Sequence, residues 1–160
     1  MTVYLVVLLA LLNHMSFKGS KVLISLFAID LGASEATIGV IYAMYSLFPI
    51  VLAVHAGRVA DRFGMRGPML LGSCGLLGGL FLPYAFPSLV SLYLSATLIG
   101  IFYIFFIVSM QSLVGTLGPE SERAHNYSIY SLGIAGSNLL GPLAVGFSID
   151  GFGHADTYRN

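Results

Sequence analysis

Five long apolar stretches, separated by short polar breaks, limit what this chain can fold into. They cover approximately residues 3–29, 36–56, 68–86, 88–117 and 128–149. A bilayer core of roughly 30 Å is crossed by about 20 helical residues, so each stretch is close to or above the length needed. The stretches are continuously apolar rather than alternating, which favours helices over strands. The sequence therefore predicts an all-α, polytopic bundle of five transmembrane helices.

The composition agrees with a lipid environment and not with a soluble domain. Hydrophobic residues make up 57% of the 160 residues and charged residues only 9%, whereas soluble domains carry about 25% charged residues. The formal net charge is zero, so no basic surface indicates a nucleic-acid partner. The single cysteine, Cys74, cannot form an internal disulfide. We expect a multi-pass integral membrane protein surrounded by lipid.

The breaks between the stretches have the residues of helix ends and turns. Residues 30–35 follow the first stretch, and Ser34 is placed to cap the next helix. Gly67-Pro68 opens the third stretch, where a proline in the first helical turn costs no hydrogen bond. Pro87 lies almost alone between the third and fourth stretches, which predicts a tight helical hairpin.

The arginines predict which way the chain crosses the membrane. The breaks after the second and fourth stretches lie on one side and contain Arg58, Arg62, Arg66 and Arg123. The other side has only Arg159, in the C-terminal tail. Because short cytoplasmic loops are rich in Lys and Arg, we expect a cytoplasmic N-terminus in the cell (inner) membrane. No basic residue precedes Val3–Leu12, so we expect this segment to be retained rather than cleaved as a signal peptide.

The first stretch is unusual because it contains basic residues. His14, Lys18 and Lys21 are spaced i, i+4 and i+7, which places them on one helix face. A lysine at the bilayer centre costs roughly 2.5–3.5 kcal/mol on insertion scales, and such residues usually face a bundle or an aqueous cavity. One hypothesis is that Lys18 and Lys21 attract an anionic group of a substrate and that His14 supplies a hydrogen bond or a proton.

A second interpretation of the two lysines stays open. Long lysine side chains can extend to the membrane interface, and either lysine could pair with a carboxylate in another segment, since none lies within the first four stretches. Gln111, near the cytoplasmic end of the fourth stretch, is a further candidate for the substrate pathway.

The fifth stretch has a face of small residues. Gly133, Ser137 and Gly141 recur every four residues, and such faces let membrane helices approach closely. Pro142 removes a backbone hydrogen bond and can kink the helix. We expect these four residues to serve helix packing rather than substrate binding.

A short pattern occurs twice, at the ends of the second and fifth stretches. Gly57-x-x-x-Asp61-x-Phe63-Gly64 is matched 89 residues later by the segment 146–153. The two copies fall on opposite sides of the predicted membrane, as expected of the inverted repeats of secondary transporters. So short a match can also arise by chance.

Residues 57–66, with the sequence GRVADRFGMR, carry the most specific motif of the chain. They resemble the signature loop of the major facilitator superfamily, which joins the second and third helices in the cytoplasm. The resemblance covers nearly the whole chain. It includes the turn at 30–34, the Glu122-Arg123 pair, and a glycine–proline motif at 137–146 that is similar to one in antiporters of this family.

The resemblance implies roles for residues of that loop. The loop helps to hold one conformation of the transporter, so the implied gating residues are Gly57, Asp61, Arg62, Gly64 and Arg66. The alternative is that the arginines only set the topology. Met65 replaces a usual basic residue, and Ala96 replaces the arginine of many proton-coupled drug antiporters. These departures argue against proton antiport of drugs.

The resemblance also implies the function of the complete protein. We expect residues 1–160 to be one partial domain, the first five helices of an N-terminal half, acting with a missing C-terminal half. Such a protein moves a small solute by alternating access. The alternative is a non-transporting membrane subunit or a degenerate gene product. No phosphate loop, metal-ligand spacing or nucleophile with a base is present, so neither an enzyme nor a cofactor is expected.

Overall fold

The computed structural model describes residues 2–152, with side chains described from 4 to 149. This part of the chain contains five α-helices and one short 3-10 turn. The helices are α1 (Thr2–Asp30), α2 (Glu35–Phe63), α3 (Arg66–Ala85), α4 (Leu89–Thr116) and α5 (Arg123–Phe152). All five are long and apolar enough to cross a membrane. The prediction of an all-α bundle of five membrane helices is therefore confirmed.

The predicted cap of the second helix is present. The Ser34 hydroxyl oxygen accepts a hydrogen bond from the backbone N–H of Thr37 at 3.2 Å. This bond satisfies one of the backbone donors that a helix start leaves free. Gly32, with a φ of +72°, makes the reversal just before the cap, and glycine adopts this left-handed conformation without steric cost.

The junction between α2 and α3 is shorter than the sequence suggested. α2 continues to Phe63, seven residues beyond the predicted end at Ala56. Only Gly64 and Met65 separate it from α3, and Gly64 has a φ of +79°. The polar residues mark where the chain leaves the lipid, but a helix can continue into water because its backbone hydrogen bonds are internal. The start of α5 at Arg123, before the predicted Ser128, has the same explanation.

The hairpin between α3 and α4 is as tight as Pro87 indicated. Ser88 caps α4 by accepting a hydrogen bond from the N–H of Ser91, and the Ser91 hydroxyl bonds back to the N–H of Ser88. This reciprocal pair satisfies two free donors at once. α3 and α4 therefore run antiparallel with almost no connection between them.

Close packing against α4 holds the bundle together. α3 and α2 both lie along α4, and α5 lies along α1. At Gly75 of α3 the ring of Phe102 occupies the space that a Cβ would take, only 2.0 Å away. At Gly100 of α4 a Cβ would come within 2.6 Å of the carbonyl oxygen of Tyr45. Small residues thus let backbones approach, as is common where lipid gives no hydrophobic drive between helices.

The second copy of the repeated pattern lies at the edge of the described structure. α5 ends at Phe152. Gly153 and the tail that contains Arg159 lie outside the described residues. Inverted repeats and a cytoplasmic N-terminus therefore stay predictions.

Candidate functional site

One face of α1 is built from a histidine, a phenylalanine and a lysine. His14 and Phe17 are buried and Lys21 is half-buried. Their spacing of three and four residues puts them in line along the helix. This face turns toward α4 and α2, which supply the tyrosines that complete the site.

His14 meets Tyr103 of α4 in the buried interior. The Tyr103 hydroxyl contacts Nδ1 of the imidazole and lies 3.2 Å from Nε2. Either group can donate, depending on the tautomer of the ring. In a bundle surrounded by lipid each buried polar group needs a partner within the protein, so this contact ties α1 to α4.

Phe17 fills the space between α4 and α2. Its ring stacks on that of Tyr103 at 3.7 Å between centroids with an angle of 10°. It also meets the ring of Tyr45 edge to face at 5.7 Å. The Tyr45 hydroxyl donates to the Ser20 hydroxyl oxygen at 3.2 Å. These contacts fix the orientation of both neighbouring rings.

The ammonium of Lys21 lies against three aromatic rings. Its Nζ is 4.3 Å from the ring centroid of Tyr42 and 5.2 Å from those of Phe17 and Tyr45. Distances below about 6 Å allow attraction between a cation and the ring faces. Among the residues that the structure describes, no carboxylate forms a salt bridge with Lys21.

Lys18 does not share this environment, although the predicted face included it. It lies against α5, where a Cβ on Gly141 would come within 3.0 Å of the Lys18 Cβ. The structure therefore places Lys18 and Lys21 beside different helices. Residues three apart on a helix point about 60° away from each other, because their rotation of about 300° falls short of a full turn by that angle. Lys18 and Lys21 can therefore share a broad face of α1 and still contact different neighbouring helices.

Gln111 lies apart from the α1 face. It is exposed on α4, and its backbone oxygen accepts a hydrogen bond from the Tyr127 hydroxyl at 3.0 Å. In the described part of the chain no hydrogen bond joins its side chain to His14, Lys18 or Lys21.

The small-residue face of α5 packs against α1. A Cβ on Gly133 would come within 2.9 Å of the Val7 side chain, and one on Gly141 within 2.9 Å of the Met15 carbonyl oxygen. Ser137 is fully buried between them, and its hydroxyl donates to the Ile134 carbonyl at 2.7 Å. Pro142 follows within the same helix.

The residues of the predicted gating loop lie at the junction of α2 and α3. Gly57, Asp61 and Arg62 belong to the last two turns of α2, and Arg66 is the first residue of α3. Asp61, Arg62 and Arg66 are exposed, and Asp61 forms no salt bridge with another described residue. These three charges can therefore interact with a surface that lies outside the described residues.

An apolar cavity of about 670 Å³ lies between α1 and α5, bordered by Leu80 of α3. None of the predicted pathway residues lines it. The hydroxyls on its wall, those of Ser16, Ser20 and Ser148, all donate to carbonyls of their own helices. The cavity wall therefore has few free polar groups with which to bind a charged solute.

Four aromatic residues complete the site, and reasoning from the sequence did not assign them to it. They are Phe17, Tyr42, Tyr45 and Tyr103. The spacing of Phe17 and Lys21, four residues apart on α1, was the available signal for the first of them. For metals, no cluster of three or more His, Cys, Asp or Glu occurs in the described residues.

Five membrane-crossing helices with a basic, aromatic-lined face inside the bundle define a polytopic membrane protein with polar groups at membrane depth. Such groups mark functional paths in membrane proteins. The family model described as Major Facilitator Superfamily matches residues 6–159. The chain belongs to this superfamily.

Three relatives show how far the similarity extends. The chain is 31% identical over 146 residues to the staphylopine export protein of Staphylococcus aureus strain Mu50, covering 86% of this chain and 36% of that protein. It is 33% identical over 150 residues to the puromycin resistance protein pur8 of Streptomyces alboniger, covering 89% and 29%. It is 31% identical over 114 residues to the class E tetracycline resistance protein of Escherichia coli, covering 69% and 27%.

The chain spans about a third of the length of these relatives. No solved structure matches it.

Proposed function

We propose that the complete protein is a secondary transporter that moves a small solute across the cell membrane by alternating access. In this proposal the chain forms the first five helices of an N-terminal half and faces a C-terminal half. Membership of the superfamily supports it. The names of the relatives, one an exporter and two resistance proteins, suggest outward movement of organic solutes.

The environment of Lys21 is the observation that most strongly supports the proposal. An ammonium at this depth is costly unless something compensates for its lost hydration. The three rings compensate in part, but they accept no conventional hydrogen bond and cancel no charge. The remaining positive charge can bind an anionic group of the solute, and Lys18 adds a second charge along α1.

His14 and the junction of α2 and α3 have supporting roles in this proposal. His14 is bound to Tyr103 and so positions α1 against α4. The exposed Asp61, Arg62 and Arg66 dock against the other half of the protein on the cytoplasmic side and stabilise one of the two conformations. Gln111 contributes to the pathway near the same side.

A panel of solutes tests the anionic preference. We would reconstitute the full-length protein in proteoliposomes and measure uptake of carboxylated, neutral and cationic organic solutes under imposed gradients. The proposal expects carboxylated solutes to be moved and cationic ones to be rejected. Preferential uptake of cations would contradict the role of Lys21.

A non-transporting membrane subunit, or the product of a degenerate gene, is the alternative. Failure to move any solute by a folded protein that copurifies with another membrane protein would support the subunit. Uptake of any solute by the purified protein alone would exclude both.

A further inference from the structure

The three rings around Lys21 form an aromatic box, made of Phe17, Tyr42 and Tyr45. All three ring centroids lie between 4.3 and 5.2 Å from the ammonium nitrogen. Boxes of this kind recognise quaternary ammonium ligands in other proteins, because the negative faces of the rings attract a cation. Here the occupant is a side chain of the protein itself.

The walls of the box are held by contacts that do not involve Lys21. Phe17 stacks on Tyr103, and both of these residues are buried. Tyr45 is 2% exposed, and its hydroxyl is bonded to Ser20. Tyr42 is the open wall, with 51% of its surface uncovered by the rest of the described chain. Removing the ammonium should therefore leave a box that persists and is open on one side.

We propose that Lys21 is a tethered cation that fills the aromatic box and thereby excludes organic ammonium ions from it. This inference rests on the proposed function, since it explains how one lysine both attracts anionic solutes and rejects cationic ones. Exclusion has two sources: the ammonium occupies the space between the rings, and its charge repels a second cation at short range. Lys21 is thus a specificity-determining residue. Small alkylammonium ions are the ligands that the aromatic box would bind if Lys21 did not fill it.

The first test removes the tethered cation and offers a free one. Tetramethylammonium would be titrated into the purified full-length protein, and binding would be followed by calorimetry in the wild type, Lys21→Ala and Arg58→Ala. We expect Lys21→Ala to bind at least about 10-fold more tightly than the wild type. Arg58→Ala, which removes an equal charge from an exposed position near the end of α2, should behave like the wild type. Equal binding by the wild type and Lys21→Ala would overturn the inference.

The open wall supplies a second comparison. Adding Tyr42→Leu to Lys21→Ala should abolish the gain, because one of the three ring faces is lost while an apolar side chain remains. Adding Tyr93→Phe, which changes a tyrosine outside the box, should preserve it. A gain that survives Tyr42→Leu would show that the cation binds elsewhere and would overturn the assignment.

A cysteine variant guards against a folding defect in Lys21→Ala. Lys21→Cys would be made with Cys74→Ser, because Cys74 is an exposed thiol. The free thiol form should bind tetramethylammonium, and the same sample should lose this binding after aminoethylation restores an ammonium. Unchanged binding after modification would contradict the inference.

Failure of this inference can be told apart from failure of the proposed function. Cation binding is measured without any transported solute. Transport of anions without a gain in Lys21→Ala would reject the tethered cation alone. A gain in Lys21→Ala without any transport would reject the transporter while keeping the box as a cation site.

Discussion

α1 and α4 have nearly the same length, 29 and 28 residues, and they meet at the centre of the bundle, yet they treat polar atoms differently. α4 contains no Asp, Glu, Lys or Arg. Its Ser95 hydroxyl donates to the Gly79 carbonyl at 2.6 Å, and Thr97 donates to the Tyr93 carbonyl at 2.8 Å. α1 instead carries the ammonium of Lys21, which lies against three ring faces and forms no salt bridge with another described residue.

The difference lies in how the two helices compensate for polar groups in lipid, although Ser109 of α4 also has a buried hydroxyl without a partner among the described residues. Polar groups that find carbonyl partners inside the fold are satisfied without a ligand. A lysine at membrane depth is costly to keep, and this cost suggests a use outside the chain. The following changes test the packing against α4, its link to α1 and the start of α2, from the largest expected effect to the smallest.

Adding one methyl group at Gly72 of α3 should disrupt the packing of α3 against α4. A Cβ there would come within 2.7 Å of the Phe106 Cβ and 2.8 Å of the Phe102 carbonyl oxygen. Because a backbone atom is among the neighbours, Gly72→Ala should cost about 1–3 kcal/mol of stability, as overpacking usually does. Thermal unfolding of the full-length protein in detergent would measure the loss.

Gly78 of the same helix is the matched control. Nothing lies within 4 Å of a Cβ at that position, so Gly78→Ala should leave stability unchanged or raise it slightly through helix propensity. Equal losses in both variants would show that α3 does not pack on α4 as described.

Removing the Tyr103 hydroxyl should weaken the link between α1 and α4. Tyr103→Phe leaves the stacked ring on Phe17 but takes the hydrogen-bond partner from buried His14. An unsatisfied buried group costs about 1–3 kcal/mol. Hydrogen bonds between the side chains of membrane helices contribute less, on average about 0.6 kcal/mol. We expect a loss of about 1 kcal/mol, seen as a lower melting temperature. Tyr93→Phe is the control, and an equal loss there would show that the His14 contact contributes nothing.

Removing the cap of α2 should have the smallest effect. Ser34→Ala deletes the acceptor of the Thr37 N–H, and loss of such a cap costs about 0.5–2 kcal/mol. Because Ser34 is exposed and water can replace it, we expect about 0.5–1 kcal/mol, measured in the same unfolding assay. Ser46→Ala, on the exposed middle of α2, should have no effect. A loss in Ser34→Ala no larger than that in Ser46→Ala would contradict the assigned helix start.

The helices were predictable from sequence because their burial in lipid is a property of composition. Ser34 was predictable as a cap because its signal is local. The end of α2 was not: the charged residues after Ala56 mark the edge of the lipid, and hydropathy alone does not show that the helix continues to Phe63.

The site was only half predictable for a related reason. The spacing of His14, Lys18 and Lys21 gives their positions around α1, but only tertiary packing decides which neighbour each one meets. Tyr103 is 89 residues from His14 and Tyr42 is 21 residues from Lys21. No local pattern joins such pairs, so the aromatic box became apparent only in the folded bundle.

Water access at position 21 tests most directly whether α1 lines a solute path. Lys21→Cys and Leu77→Cys would be compared in the full-length protein with Cys74→Ser, since Leu77 is an exposed apolar residue of α3. A charged thiol reagent reacts with the thiolate, which forms only where water reaches it. We predict that the cysteine at 21 reacts at least about 10-fold faster than the one at 77. Equal, slow reaction at both positions would place Lys21 outside any aqueous path and contradict the account.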